Sequence, residues 1–174
     1  MFQIRKSPKQ SKAALCVKGC YEDEKNNCYR FGRKEKIKIN TIYAYLSFNG
    51  NCGEAMQFYQ KCLGGILSFQ TVGDAPNSKK MPDNIKKFIL HSTLKSKNFI
   101  LMGSDMVDEQ ELIKGNAVSL MQNCAIKKEI REQYKMLSQG GVKTHPLIKT
   151  FNGVLFCMLK DKFGHNWLLH FKKA

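Results

Sequence analysis

Residues 48–65 read FNGNCGEAMQFYQKCLGG, and the fold turns on this stretch. Asn49-Gly50 is turn chemistry, because Asn and Gly tolerate the backbone angles a tight reversal needs. Ala55, Met56, Phe58, Tyr59 and Cys62 then recur at helical spacing. One side of a helix over Gly53–Cys62 is therefore apolar and seeks a sheet to cover. Asn51 is placed to cap its start, and Gly64-Gly65 supplies the left-handed ending. Upstream, TIYAYLSF is rich in the Ile, Tyr and Phe that strands favour. Downstream, ILSFQTV reads as a strand. VGDAPNSKKMPDN, with Pro76 and Pro82, reads as a loop. Phe88–Leu94 and Phe99–Met102 read as a hairpin joined by Lys-Ser-Lys-Asn.

The same order returns. After the polar crossing MVDEQELIKG comes the strand-like NAVSLMQ. Ile126, Ile130, Tyr134 and Leu137 then mark a second amphipathic helix, stopped by Gly140-Gly141. GVKTHPL, VLFCMLKD and NWLLHF supply three more strands, with turns at Phe151-Asn152-Gly153 and Lys162-Phe163-Gly164. FYQKCLGG and QYKMLSQGG close the two helices, and their Gly-Gly pairs lie 76 residues apart. Such a repeat has to be recognised before the fold is assigned. The chain divides into an extension, 1–38, and a domain, 39–174, made of two βαβββ modules at 39–106 and 115–174.

The extension differs in composition. Of the +15 formal charge, residues 1–40 carry +7 (11 Lys/Arg against 4 Asp/Glu) and the other 134 carry +8. It is rich in Lys, Asn, Ser and Gly, ends in RKEKIK, and is expected to be flexible or partly ordered. Its charge would favour polyanions, but no stripe of Arg alternating with aromatics marks a nucleic-acid surface. Seven cysteines at irregular gaps do not form a secreted disulfide framework. Free thiols in a cytoplasmic protein are the expectation. Cys16, Cys20 and Cys28 lack finger spacing and a nearby His, so zinc is not expected there. The longest apolar runs are too short for a membrane span or a signal peptide.

Six motifs in this order resemble the vicinal oxygen chelate superfamily, which includes glyoxalase I, extradiol dioxygenases and bleomycin-resistance proteins. More closely they resemble its PhnB-like branch, also labelled demethylubiquinone methyltransferase-like. They are YLSFNGNCGEAMQFYQKCLGG (45–65), LHSTL (90–94), LMGSD (101–105), GNAVSL (115–120), LSQGGVKTHPL (137–147) and FNGVLFCMLKDKFGHNWLLHF (151–171). The resemblance implies an α+β fold in which duplicated modules form a curled mixed sheet around a shared cavity. It also implies a homodimer. Metal-dependent members of the superfamily place His or Glu on the first and last strands of each module. Carried over, those positions fall on Ala44, near Asn116 and at Leu168, two residues before His170. Alanine and leucine cannot coordinate, so no metal or other cofactor is expected.

His91 matches a histidine of the PhnB-like branch and would suit hydrogen bonding or proton transfer. Asp105 is the other candidate catalytic group, or else an Asp bonded to its own backbone. Phe48, His91, Met102, Asp105 and Trp167 are the candidate ligand contacts, and Trp167 fits cavity wall and core alike. His145 is expected at a strand end, His165 in a solvated turn, and His170 on the strand face opposite Leu169 and Phe171. His91 and His170 form a conceivable but unfavoured metal pair. These features favour a metal-free protein that holds a small molecule between the modules. The alternatives are a metal-dependent lyase, isomerase or dioxygenase of the same superfamily, and nucleic-acid binding through the extension. A methyltransferase is not expected, because no glycine-rich strand-to-helix turn of a parallel sheet is present.

Overall fold

The computed structural model describes residues 20–22, 28–30, 33–36, 41–76, 78–106 and 112–172. Cys16, most of the extension and the crossing at 107–111 lie outside them. The chain forms two compact units, residues 1–42 and 43–174.

The first unit contains three short strands, β1 (Cys20–Glu22), β2 (Cys28–Arg30) and β3 (Arg33–Lys36), paired as an antiparallel meander. Sequence reading does not anticipate them. Segments of three or four residues are too short for alternation to stand out from the surrounding charge.

The second unit holds the duplication. Its first module comprises β4 (Ala44–Phe48), α1 (Cys52–Leu63), β5 (Ile66–Thr71), the short helix α2 (Asp83–Lys86), β6 (Ile89–Lys95) and β7 (Ile100–Asp105). Its second comprises β8 (Leu120–Asn123), α3 (Lys127–Leu137), β9 (Val142–Lys149), β10 (Leu155–Lys160) and β11 (Asn166–Phe171). The sheet orders are β4-β7-β6-β5 and β8-β11-β10-β9. In each, the first and last strands pair in parallel and the other pairs are antiparallel. Both sheets are open and carry few helices, as an α+β fold of this type requires. His145 sits mid-way along β9, not at a strand end. The following Pro146 is tolerated because β9 is an edge strand with register shifts against β10.

The two Gly-Gly pairs do matching work. Gly64 and Gly65 have φ of 73° and 103°, and Gly140 has 71°, angles that exclude most side chains. Ile66 pairs with Lys95 and Val142 with Lys160. A Cβ on the preceding glycine would lie 2.8 Å from Lys95 O at Gly65 and 2.3 Å from Lys160 O at Gly141. The stop is thus both conformational and steric.

Helix α1 packs on β5, β6 and β7, α3 packs on β10 and β11, and the helices touch each other. Ala55, Met56, Tyr59 and Cys62 are buried as the helical spacing predicts, and Phe58 packs against them half-buried. Leu46, Phe48, Leu94, Leu101, Ile130, Leu137, Leu159 and Leu169 join them in one core spanning both modules. Strand residues of opposite parity face away from the helices. The helix-free faces are therefore the surfaces on which a site can be built.

Candidate functional site

The sheet register decides which side chains meet on the helix-free face of the first module. Tyr45 lies opposite Met102, and Met102 opposite Thr93. Met102, Thr93 and His91 are half-buried, whereas their strand neighbours Leu101, Ser92 and Leu94 are buried under α1. The His91 ring stands 5.9 Å from that of Tyr45, and His91 Nε2 lies 3.1 Å from Thr93 Oγ1. The hydroxyl can donate to or accept from the imidazole according to its tautomer. His91 and Met102 thus share one surface with Tyr45 and Thr93, two neighbours that sequence reading does not single out. The signal was available in the i, i+2 spacing of His91 and Thr93.

In the second module the corresponding face carries Phe156 opposite His170 and Met158 opposite Leu168, all half-buried. His170 points away from the buried Leu169, as alternation predicts. The two histidines do not occupy repeat-equivalent places: His91 is on the third strand of its module and His170 on the fourth.

The other candidate ligand contacts are placed elsewhere. Phe48 is fully buried on the helix side of β4, where its ring meets those of Phe163 and His165. Trp167 is also buried on the helix side, 5.5 Å from Tyr59. Both belong to the core and not to the open face, which corrects the ligand contact expected of Phe48 and takes the core alternative for Trp167. The alternation of β4 and β11 explains it: Phe48 shares parity with Leu46, and Trp167 with Leu169.

Asp105 closes β7 and is buried. One carboxylate oxygen accepts the Cys52 N–H at 2.9 Å and the other the Ile89 N–H at 2.9 Å. It caps α1 from 53 residues away, satisfying an orphan donor and setting negative charge against the helix N-terminus. This corrects two expectations: Asn51 makes no side-chain cap, and Asp105 bonds the backbone of other elements, not its own. With each oxygen already accepting a backbone hydrogen bond, Asp105 is a positioning group for α1 and for the start of β6.

The junction between the modules turns on a residue that sequence reading passes over. Asp161 is buried and accepts four hydrogen bonds. The Phe163 and His165 amides donate to Oδ1, each at 2.9 Å, while Tyr59 OH at 2.7 Å and Trp167 Nε1 at 2.8 Å donate to Oδ2. Tyr59 comes from α1 of the first module, 102 residues away. Burial first, and then the adjacent carboxylate, drive the Tyr59 hydroxyl far above its usual pKa, so it remains a donor. In the sequence Asp161 looks like an ordinary residue ending a strand before the turn at 162–164, and its local bonds to residues 163 and 165 are of that kind. Nearby, Lys162 Nζ reaches Glu54 at 2.6 Å.

His165 follows this turn and, contrary to the solvated position expected, is half-buried with its ring 5.1 Å from that of Phe48. Its Nε2 is buried without a hydrogen-bond partner among the described residues. Burial lowers its pKa, with Asp161 opposing and Lys114 reinforcing the shift. Beside it opens a hollow of 330 Å³ lined by Tyr45, Leu46 and Ser47 of β4, residues 112–115, Val118, Leu120 and Gly164–Asn166. Lys114 Nζ donates to Phe163 O at 2.5 Å and lies 5.4 Å over the Phe48 ring. Burial lowers its pKa as well. The hollow brings the first strand of one module against the first strand and last turn of the other. Tyr45 links it to the open face carrying His91.

The donor set for a divalent metal does not fit. Ala44 and Leu168 have no side-chain donor atom, and Asn116 precedes β8. Among the described residues no three His, Cys, Asp or Glu side chains are grouped to hold an ion. Cys52, Cys62, Cys124 and Cys157 are free and buried. Burial pushes the Cys52 thiol up to about 11 and that of Cys124 to about 12, which makes them inert packing groups.

The model of the family described as 3-demethylubiquinone-9 3-methyltransferase matches residues 40–170. The crystal structure of protein PA1353 from Pseudomonas aeruginosa is 35% identical, covers 78% of this chain and 100% of its own, and superposes with a TM-score of 0.68. A PhnB protein from Bacillus cereus is 25% identical over 76% of this chain and 100% of its own, with a TM-score of 0.60. A glyoxalase-related enzyme from Fulvimarina pelagi, at 16% identity, covers 77% of this chain and 89% of its own with a TM-score of 0.51. At that identity the likeness is one of fold.

Proposed function

We infer the function from one premise: the chain belongs to the PhnB-like branch of the vicinal oxygen chelate superfamily, the family described as 3-demethylubiquinone-9 3-methyltransferase. The reading is a small-molecule-binding protein of the glyoxalase/bleomycin-resistance type, working without a metal and holding its ligand between the two modules. The observation that carries it is the open-face group of Tyr45, His91, Thr93 and Met102 beside the hollow at Lys114 and His165. Aromatic and thioether surface with a few convergent polar groups is the usual make-up of a small-molecule site. The Lys114 ammonium favours a ligand with a negative or strongly electron-rich group facing the hollow.

The reading needs no metal, because the residues at the superfamily's ligand positions, Ala44, Asn116 and Leu168, do not suit one. Methyl transfer is not part of this reading, since the sheets of the described residues are mostly antiparallel and not the parallel sheet whose glycine-rich turn would bind such a cofactor. A homodimer in the cytoplasm completes the reading. Met121, 59% exposed, and Tyr45, 51% exposed, are apolar surface that ligand or a second copy would cover, and buried free thiols suit a reducing compartment. Among the described residues no helix is long and apolar enough to cross a membrane.

The test is a thermal-shift screen of small aromatic and oxygen-rich compounds, followed by calorimetric titration of the best binder into the wild type and His91→Ala. Binding without turnover, weakened roughly tenfold or more by the loss of one packed polar aromatic, is expected. Elemental analysis of tag-free protein accompanies it. About one divalent metal per chain surviving dialysis would overturn the metal-free reading.

A further inference from the structure

A second hollow, of 360 Å³, lies at the far end of the second module, between the start of α3, the β9–β10 turn and the end of β11. Its construction follows from register. Lys149 pairs with Leu155, and Leu155 with Phe171. Directly paired residues project from the same face, so these three form one row across the sheet. Leu155 is buried on the helix side, and Lys149 and Phe171 therefore project to that side too. Lys127, the first residue of α3, lines the hollow together with them, as do Asn152 of the turn and Lys172 beyond the last strand.

Three lysines thus line a concave site with an apolar wall of Leu155 and Phe171, and among the described residues no carboxylate lines it. Among the described residues none of the three lysines is in an ion pair, whereas the next residue, Lys128, is paired with Glu132. Like charges held around a concavity repel one another, and an anion placed between them relieves that cost. We propose that this hollow is a second, independent binding site for a small organic anion, an aryl or acyl phosphate or carboxylate. Its charged group meets Lys127, Lys149 and Lys172, and its apolar body rests on Leu155 and Phe171. The hollow has the volume of a small-molecule pocket, which favours a small anion over a polyanion.

The test is a titration of the full chain with phenyl phosphate, and separately with inorganic phosphate, followed by amide chemical shifts at low salt. Phenyl phosphate is expected to saturate, to shift the amides of Asn152, Leu155 and Phe171, and to bind tighter than inorganic phosphate. Lys149→Gln and Lys127→Gln should each weaken it roughly tenfold, as loss of a charge-assisted hydrogen bond does. Lys128→Gln should leave it unchanged. The inference is overturned by non-saturating shifts, by inorganic phosphate binding as tightly, or by an equal loss in Lys128→Gln. An oligonucleotide or anionic vesicle that binds more tightly through the same lysines would also overturn it. None of these residues belongs to the open face of His91, so this outcome and that of the ligand screen are independent.

Discussion

Replacing Asp161 with Asn is the sharpest test of what joins the two modules. The substitution preserves shape, so any loss comes from hydrogen bonding and charge. The amide oxygen can keep the two backbone bonds from Phe163 and His165. The amide nitrogen then stands where Oδ2 accepted Tyr59 OH and Trp167 Nε1. Tyrosine can rotate its hydroxyl and accept, but the indole N–H is a donor only. Donor therefore faces donor at a buried point. Loss of a hydrogen bond to a charged acceptor costs about 1.5–3 kcal/mol, and an unsatisfied buried donor adds about 1–3 kcal/mol. A total of roughly 3–5 kcal/mol is expected. Tyr59→Phe removes one donor and leaves no cavity, so it should cost only about 1.5–2 kcal/mol. Urea unfolding followed by the emission of Trp167, the single tryptophan, reads both the stability and the polarity at this carboxylate. A loss below about 1 kcal/mol for Asp161→Asn would refute the idea that this carboxylate ties α1 of one module to the last hairpin of the other.

Two further perturbations follow from the same geometry. Gly141→Ala drives a Cβ to 2.3 Å from Lys160 O, a rigid backbone atom, and should destabilise by about 3 kcal/mol or more. Gly64→Ala meets open space, so its cost should be only the backbone strain of φ 73° with ψ −170°, about 1–3 kcal/mol; melting temperatures of the two variants in that order check the distinction. For His165, burial lowers the folded-state pKa below the ordinary 6.5, so below that pH the unfolded chain binds the proton more readily than the folded one. Stability should therefore fall as pH drops below about 6.5 and level off only once the folded group is protonated too. His165→Phe, which keeps the packing on Phe48, should flatten that limb, and an unchanged pH profile would show that His165 is not the group responsible.

Much of the fold was written locally. The 76-residue repeat, the amphipathic spacing of residues 55–62 and 126–137, and the Gly-Gly stops are short-range patterns. A helix period or a positive φ depends on neighbours in the chain, and these features stand where the sequence places them. His91 and Thr93 share a face because alternation in a strand is equally local, whereas it takes the sheet register to set Met102 and Tyr45 beside them. What the linear order could not contain was the identity of distant partners. Asp105 reads as the end of a strand until β7 sets it under α1, 53 residues back. Asp161 reads as the end of a strand entering a turn until Tyr59 arrives from 102 residues away. Phe48 reads as a ligand contact, and Trp167 as equally good cavity wall or core, until sheet packing assigns one face to the helices. His165 looks solvated until the last hairpin tucks it against Phe48. Periodicity tells a segment which face to bury, but only the packed sheets decide what that face is buried against. The pKa of His165, the cap of α1 and the hollow beside Lys114 are all consequences of that second choice.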